Sequence, residues 1–372
     1  MKIALVCDWL TEIGGAENVL LTVHEMFPDA PIYTSQYRAK KTPQFDGCDV
    51  RTGWLNIFPR TFRKYISPLR ALYFSHLNLS DYDLVISIAN AEAKGIKTRG
   101  KHHSALHICY LQGPPTGYYW GMYDAYIKNP GFGKLNWLAR LGLKLLVKPM
   151  RKSDYKAAQK PDHFVAISDY VARDIKKYYG RKTDIVFPPV DGLKATAQKR
   201  GGFVVAGRQA PWKRVDLAVQ ACLKTGDDLL VIGDGPDHKK LVELARGHDN
   251  ISFLPRYNGP AEIVNHLASA KGFLFTSVEP FGITPIEAMS VGTPVIALRA
   301  GGALNFIDEG KNGLFFDKQN VNSLVSAIEK FHKTSFDANI IKKSATKFSV
   351  AKFKSNLRNL INEKVARNST VA

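Results

Sequence analysis

Long apolar runs are missing from this sequence. No stretch of its 372 residues approaches the roughly 20 consecutive apolar residues that a membrane-spanning helix needs. The expectation is a chain that is soluble or lies on a membrane surface. Nor does the N-terminus, Met1-Lys2-Ile3-Ala4-Leu5-Val6, have the architecture of a signal peptide; it reads as the start of a strand. Cysteine is scarce: Cys7, Cys48, Cys109 and Cys222 are scattered without metal-binding spacing. A disulfide framework and a zinc site are both excluded by that pattern, and a reducing cytoplasm fits it. The ten histidines are mostly isolated and form no metal-spaced pair. Walker A and nucleophile-elbow sequences are absent as well. Acid is in short supply, with 33 acidic against 52 basic side chains and a net charge of +19. Such an excess suits nucleic acid or an anionic membrane. No zinc-finger spacing, RNP-like strand or helix-turn-helix accompanies it, which argues against nucleic acid.

What the chain does contain is a strand and helix rhythm over a length that exceeds one hydrophobic core. In the first half, strand-like runs at 2–6, 30–33, 50–52, 83–88, 105–110 and 163–167 alternate with helical stretches at 14–26, 68–77 and 169–179. A strand at 184–191 with paired Pro188 and Pro189 leads into a polar linker, after which the rhythm restarts at 202. Strands at 202–206, 229–232, 251–253, 272–276 and 294–298 each precede a helix. The reading is α/β, with two doubly wound parallel domains over 1–190 and 191–348 and a basic amphipathic tail helix in 349–372.

The stretch 277–289, Ser-Val-Glu-Pro-Phe-Gly-Ile-Thr-Pro-Ile-Glu-Ala-Met, is a strand-to-helix turn with Gly282 at its apex, flanked by Glu279 and Glu287. Thr284, Pro285 and Glu287 have the spacing of a capping box, with Thr at the N-cap and Pro at the first helical position. The same turn offers backbone N–H groups and a positive helix end to a ligand bearing hydroxyls and phosphates. Taken alone, the stretch supports either reading. Other strand ends add to it. Arg208 and Lys213 follow one strand and suit a diphosphate, Arg as a bidentate fork and Lys as a point charge. Gly233-Asp234-Gly235-Pro236 and Gly301-Gly302 are turns that let a ring or phosphate approach the backbone. Gly14-Gly15-Ala16-Glu17 lacks the third glycine and the distant acid of a dinucleotide fingerprint, so a nicotinamide oxidoreductase is set aside.

Between 134 and 160 eight basic residues accompany a single acid, Asp154, and Leu135, Trp137, Leu138, Leu141, Leu145 and Leu146 interleave at helical spacing. That pattern is shared by helices that lie in a membrane interface and by helices that face a core with a solvated basic side.

Glu279-Pro280-Phe281-Gly282 with Glu287 resembles the E-x7-E signature of family 4 retaining glycosyltransferases, which have the GT-B fold. Gly14-Gly15-Ala16-Glu17, Phe187-Pro188-Pro189-Val190-Asp191, Gly207-Arg208 with Lys213, and Gly233-Asp234-Gly235-Pro236 follow in that family's order and spacing. The likeness covers nearly the whole chain and is nearest to bacterial mannosyltransferase-like members. It implies two Rossmann-like domains facing an interdomain cleft, with the tail helix returning to the first. It also implies roles. Arg208 and Lys213 hold the donor diphosphate and stabilise the leaving group, Glu287 bonds the ribose, and Glu279 with the backbone of Phe281 and Gly282 binds the donor sugar. Gly14, Gly15, Gly233, Gly301 and Gly302 let backbone approach the donor, while Arg256 and Tyr257 lie where such proteins contact the base. A same-face substitution is implied in which the leaving phosphate takes the acceptor's proton, with no protein nucleophile, cofactor or metal. The partners implied are a nucleotide-sugar (GDP-mannose favoured, a UDP-sugar second), a lipid-linked or glycan acceptor of cell-surface polysaccharide or glycolipid synthesis, and the anionic inner face of the plasma membrane. Two positions depart from the family pattern: Gln112 stands where many relatives carry His, and Asn305 where they carry Glu. A glutamine cannot titrate. Alternative readings are a sugar-nucleotide 2-epimerase on the same fold and a catalytically degenerate nucleotide-binding member.

Overall fold

The computed structural model describes residues 1–371 apart from 61, 63–65, 117–118, 122, 129–135, 193–194, 196–200 and 256–259. Leu135, Arg256 and Tyr257 therefore lie outside the described residues. Contacts divide the chain into two units, Met1–Pro189 with Phe353–Ala372, and Val190–Lys352.

The first unit is a seven-stranded sheet of β1 (Ile3–Cys7), β2 (Ile32–Thr34), β3 (Val50–Thr52), β4 (Leu84–Ala89), β5 (Leu106–Leu111), β6 (His163–Ala166) and β7 (Thr183–Ile185), in the order β3-β2-β1-β4-β5-β6-β7. Every pairing is parallel. β4 and β5 are buried at each residue because helices cover both faces, which is why they read as unbroken apolar runs. The helices are α1 (Gly15–Met26), α2 (Ser67–His76), α3 (Tyr123–Lys128), α4 (Asn136–Ala158) and α5 (Asp169–Tyr179). α5 shows local chemistry fixing both ends: Ser168 accepts from the Val171 N–H, and Gly180 stops the helix at φ 65°.

The second unit has six strands, β8 (Phe203–Ala206), β9 (Leu229–Ile232), β10 (Ile251–Leu254), β11 (Gly272–Phe275), β12 (Val295–Leu298) and β13 (Gly313–Phe316), in the order β10-β9-β8-β11-β12-β13. These too are all parallel. Its helices are α6 (Val215–Thr225), α7 (His238–Leu244), α8 (Pro260–Ser269), α9 (Ile283–Ser290), α10 (Val321–His332) and α11 (Ala338–Ala345). The final helix, α12 (Val350–Val371), belongs to the first unit from Phe353 onward. Phe353, Leu357 and Ile361 are buried, the Phe353 ring meets the edge of Tyr110, and Lys364 pairs with Asp184 at 2.8 Å.

One sequence expectation changes here. The capping box at Thr284 is not formed: α9 starts at Ile283, with Gly282 as N-cap at φ 116° and no side-chain cap. A left-handed N-cap open to glycine starts the helix earlier than the Thr-Pro pair does. The amphipathic stretch 134–160 is helical over 136–158, and it buries little of its apolar side. Trp137, Leu138, Leu141, Leu145 and Leu146 are all exposed, while Val147, Asp154 and Ala158 are buried.

Candidate active site

In each sheet the strand order reverses between two neighbours, and open α/β sheets bind ligands outside the carboxyl ends of strands at such a point. In the second unit it lies between β8 and β11. The loop after β8 carries Arg208 and Lys213, and the loop after β11 carries Ser277, Glu279 and Gly282. Gly207, Arg208, Lys213, Thr276, Ser277 and Glu279 line one pocket there.

Lys213 closes a 3-10 turn, Pro211–Lys213, and Arg214 follows in the left-handed region at φ 53°. It is the only non-glycine residue with positive φ among the described residues. Such backbone persists where surrounding contacts enforce it. Here the Arg214 guanidinium bonds both carboxylate oxygens of Asp216 at 3.0 and 3.1 Å, and Thr276 Oγ1 donates to the Lys213 carbonyl at 2.9 Å. The turn thereby aims Lys213 Nζ at Glu279 Oε1, 2.5 Å away, and Ser277 Oγ donates to the same oxygen at 2.6 Å. The ammonium also sits 4.6 Å from the centre of the Trp212 ring. Both members of the Lys213–Glu279 pair are mostly buried, so the pair is more than a screened surface contact. Among the described residues Glu279 Oε2 has no donor, and no hydrogen bond or ion pair engages the exposed Arg208 guanidinium.

Glu287, one and a half turns into α9, is mostly buried, and no described hydrogen-bond donor reaches its carboxylate. Burial, and secondly the charge of Asp191, raise its pKa above the usual carboxylate range. Sequence reading placed it in a capping box; the structure instead leaves it as an unengaged acceptor. Ahead of it, no side chain caps α9, so the N–H groups of Ile283 and Thr284 remain available at the positive end of the helix.

Phe281 is anchored in the core against Phe306 and Phe348, so only its backbone is placed to meet a ligand. Gly301 and Gly302 open a 3-10 turn rather than an α-helix. A Cβ at Gly302 would overlap the Phe281 backbone, and the Gly302 N–H donates to the Glu279 carbonyl at 2.8 Å. The pair thus presses one strand-end loop onto the Glu279 turn. Gly233, at φ 108°, does the same between β9 and β8, because a Cβ there would overlap the Gly207 carbonyl.

A residue that sequence reading missed holds this floor together. Gln209 is fully buried; its Nε2 donates to the Gly233 carbonyl at 2.5 Å and its Oε1 meets His238 Nδ1 at 2.8 Å. Its backbone N–H donates to the Asp234 carbonyl at 2.9 Å. A lone Gln in a loop gives no periodic or motif signal by which to find it. Ser277, the second donor to Glu279, was equally silent.

The remaining candidates form a separate cluster in the first unit. Gly14 caps α1 with extended backbone, Gly15 begins the helix, and Gln112 Nε2 donates to the Ala16 carbonyl at 3.1 Å. Gln112 thus braces the first turn of α1. Among the described residues no three His, Cys, Asp or Glu side chains gather as a metal site.

The strand orders define two Rossmann-like domains, and the fold is GT-B. An Anabaena protein, HepE, solved with UDP, superposes with a TM-score of 0.68 at 18% identity, covering 98% of this chain and 100% of that one. Residues 194–348 match the family model "Glycosyl transferases group 1", a span that includes Arg208, Lys213, Glu279 and Glu287. An uncharacterised glycosyltransferase of Methanocaldococcus jannaschii is 25% identical over 46% of this chain and 50% of its own length. A GDP-mannose-dependent alpha-mannosyltransferase of Corynebacterium glutamicum is 34% identical over 32% of this chain and 28% of its own. The chain thus spans half or less of the length of these curated relatives.

Proposed function

We propose that this protein is a retaining glycosyltransferase that moves a hexose, mannose first, from a nucleotide-sugar bound at the β8/β11 strand ends. One observation carries the reading. A mostly buried Lys213–Glu279 pair shares its pocket with an unengaged Arg208, at the switch point of the unit that matches the group 1 glycosyltransferase model. Arg208 takes the diphosphate bidentately, and Lys213, held by Glu279, neutralises the charge that grows on the leaving phosphate. Glu287 accepts from the ribose hydroxyls, and the open N-terminus of α9 with Glu279 Oε2 receives hydroxyls of the sugar. The acceptor enters on the face the phosphate leaves, and its proton passes to that phosphate, so the configuration at the anomeric carbon is kept. Arg208 and Lys213 supply the cationic charge, and no metal is assigned a step. The likeness to a GDP-mannose-dependent relative supports GDP-mannose as donor, and the UDP-bound structural neighbour supports a UDP-sugar second.

The acceptor is lipid-linked or a glycan of cell-surface polysaccharide or glycolipid synthesis, met at the anionic inner face of the plasma membrane. The exposed Trp137, Leu138, Leu141, Leu145 and Leu146 on a basic helix support that placement. Among the described residues no helix is long and apolar enough to cross a membrane. A panel of GDP- and UDP-sugars incubated with membrane extract tests the reading. Sugar transfer with retained configuration from one donor is expected, and absence of both nucleotide release and product with every donor overturns it.

A further inference from the structure

The apolar side of α4 does not end as a flat stripe. Where it passes α2, a groove of about 440 Å³ opens between the two helices, within the ~300–1,000 Å³ range of small-molecule sites. Pro68 and Ala71 of α2 form one wall, and Leu146, Pro149 and Met150 of α4 the other. Polar groups also reach its floor, but their charges are already met. Glu92 pairs with Arg70 at 2.5 Å, and Asp154 pairs with Lys94 at 2.6 Å while accepting from Trp120, Tyr179 and Thr116. The Tyr119 hydroxyl, which shares that floor, meets Ser67 Oγ at 2.5 Å. A floor so saturated presents little unmet hydrogen bonding to an occupant, and the walls present carbon. Pro149 adds to the wall because it has no N–H.

Charge marks one end of the groove. Lys156 and Lys160 line it, and Lys160 Nζ is fixed by a 2.5 Å bond to the Gly95 carbonyl. Along α4 the exposed apolar residues run on from Leu146 to Leu145, Leu141, Leu138 and Trp137, with Arg140, Lys144 and Lys148 beside them. An isolated exposed leucine means little, whereas a continuous apolar patch with a cationic rim marks a binding surface.

We propose that the α2/α4 groove holds the hydrocarbon chain of one phosphate-headed lipid, its chain between Ala71 and Met150 and its phosphate on Lys156 and Lys160. The exposed remainder of α4 rests on the bilayer from which that lipid is drawn. The lipid acceptor of the proposed transfer is the natural occupant, so the inference rests on that reading for its purpose but not for its geometry.

Calorimetric titration of the full chain with monomeric dodecyl phosphate tests it, with inorganic phosphate and dodecyltrimethylammonium as controls. Saturable binding of dodecyl phosphate alone is expected. Ala71→Phe, which fills the groove, abolishes it, and Ser75→Trp at the exposed rim does so should Ala71→Phe fail to fold. Lys156→Glu with Lys160→Glu weakens it about tenfold or more, as loss of charge-assisted bonds to one phosphate requires. Leu141→Glu with Leu145→Glu leaves dodecyl phosphate binding unchanged but removes binding to liposomes containing anionic lipid. Failure of the wild-type chain to bind, or equal binding by the groove-filling variants, overturns the proposal. Equal binding of the cationic amphiphile overturns it too. Nucleotide titrated into the same samples separates the two readings, because loss of lipid binding leaves the donor site untouched.

Discussion

The two units share a parallel, doubly wound design and treat their switch points in opposite ways. In the first, between β1 and β4, Asp8 is buried and its carboxylate accepts from the N–H groups of Asn90, Ala91 and Ala93 at 2.6, 2.9 and 2.7 Å. The strand ends are stitched together from within. In the second, between β8 and β11, the corresponding loops meet through Lys213 and Glu279, while Arg208, Glu279 Oε2 and Glu287 have no described partner. One topology thus yields a strand end whose acid is spent on backbone N–H groups and one whose charged groups are left partly unengaged. What separates them is whether the polar groups that the fold brings there are satisfied by each other or left for a ligand.

Substitution on each side breaks the comparison in its own way. The largest effect is expected in the second unit: Lys213→Ala lowers kcat/KM by about 10³, roughly 4 kcal/mol of transition-state stabilisation, since one preorganised charge is removed. Folding stability falls as well, because Glu279 keeps only Ser277 as a donor among the described residues, and donor kinetics beside a denaturation curve separate the two effects. Asp8→Ala shifts the balance to stability. It orphans buried N–H groups in the first unit and lowers unfolding stability by about 3 kcal/mol, seen as a drop in the urea midpoint, while nucleotide affinity is retained.

Smaller per pH unit, and built up only gradually, is an acid response confined to the first unit. His107 is fully buried, its Nε2 meets Ser87 Oγ at 2.7 Å, and burial with Lys160 and Arg181 nearby pushes its pKa from 6.5 to about 3. The neutral ring is the native form, so its contribution is complete above the unfolded value. As pH falls from 6.5 toward 3 that contribution is lost, at about 1.4 kcal/mol per unit. Stability measured across that window should show the slope, and His107→Gln should flatten it. The smallest effect belongs to Glu287→Gln. Because burial raises the native pKa of Glu287, its ionised form costs stability above that pKa. The amide variant is therefore expected to unfold later, by about 0.5–1 kcal/mol at neutral pH, while binding nucleotide more weakly.

Much of the fold was legible because its strands are buried on both faces and read as apolar runs at regular intervals. β9 and β12 are of this kind, and α5 announces itself through Ser168 and Gly180. The chain beyond 302 was less legible. β13 is a four-residue run, and α10 is started by Asn320, whose side chain accepts from Ser323 N–H in a polar stretch. The start of α9 was misread because Thr-Pro with a following Glu mimics a capping box, whereas the left-handed Gly282 decides the boundary. At the site, charged and glycine positions were visible as strand-end residues. Their satisfaction was not, because Lys213 and Glu279 stand 66 residues apart and meet only in three dimensions. Gln209 shows the same limit: its partners at Gly233 and His238 come from a different strand-end loop.

A crystal structure of the protein with the nucleoside diphosphate of its donor bound tests the central claim most directly. The account predicts the diphosphate within hydrogen-bonding distance of Arg208 and Lys213, with the ribose hydroxyls on Glu287. A nucleotide seated away from the β8 and β11 strand ends, or one that leaves Arg208 and Lys213 uncontacted, would contradict it.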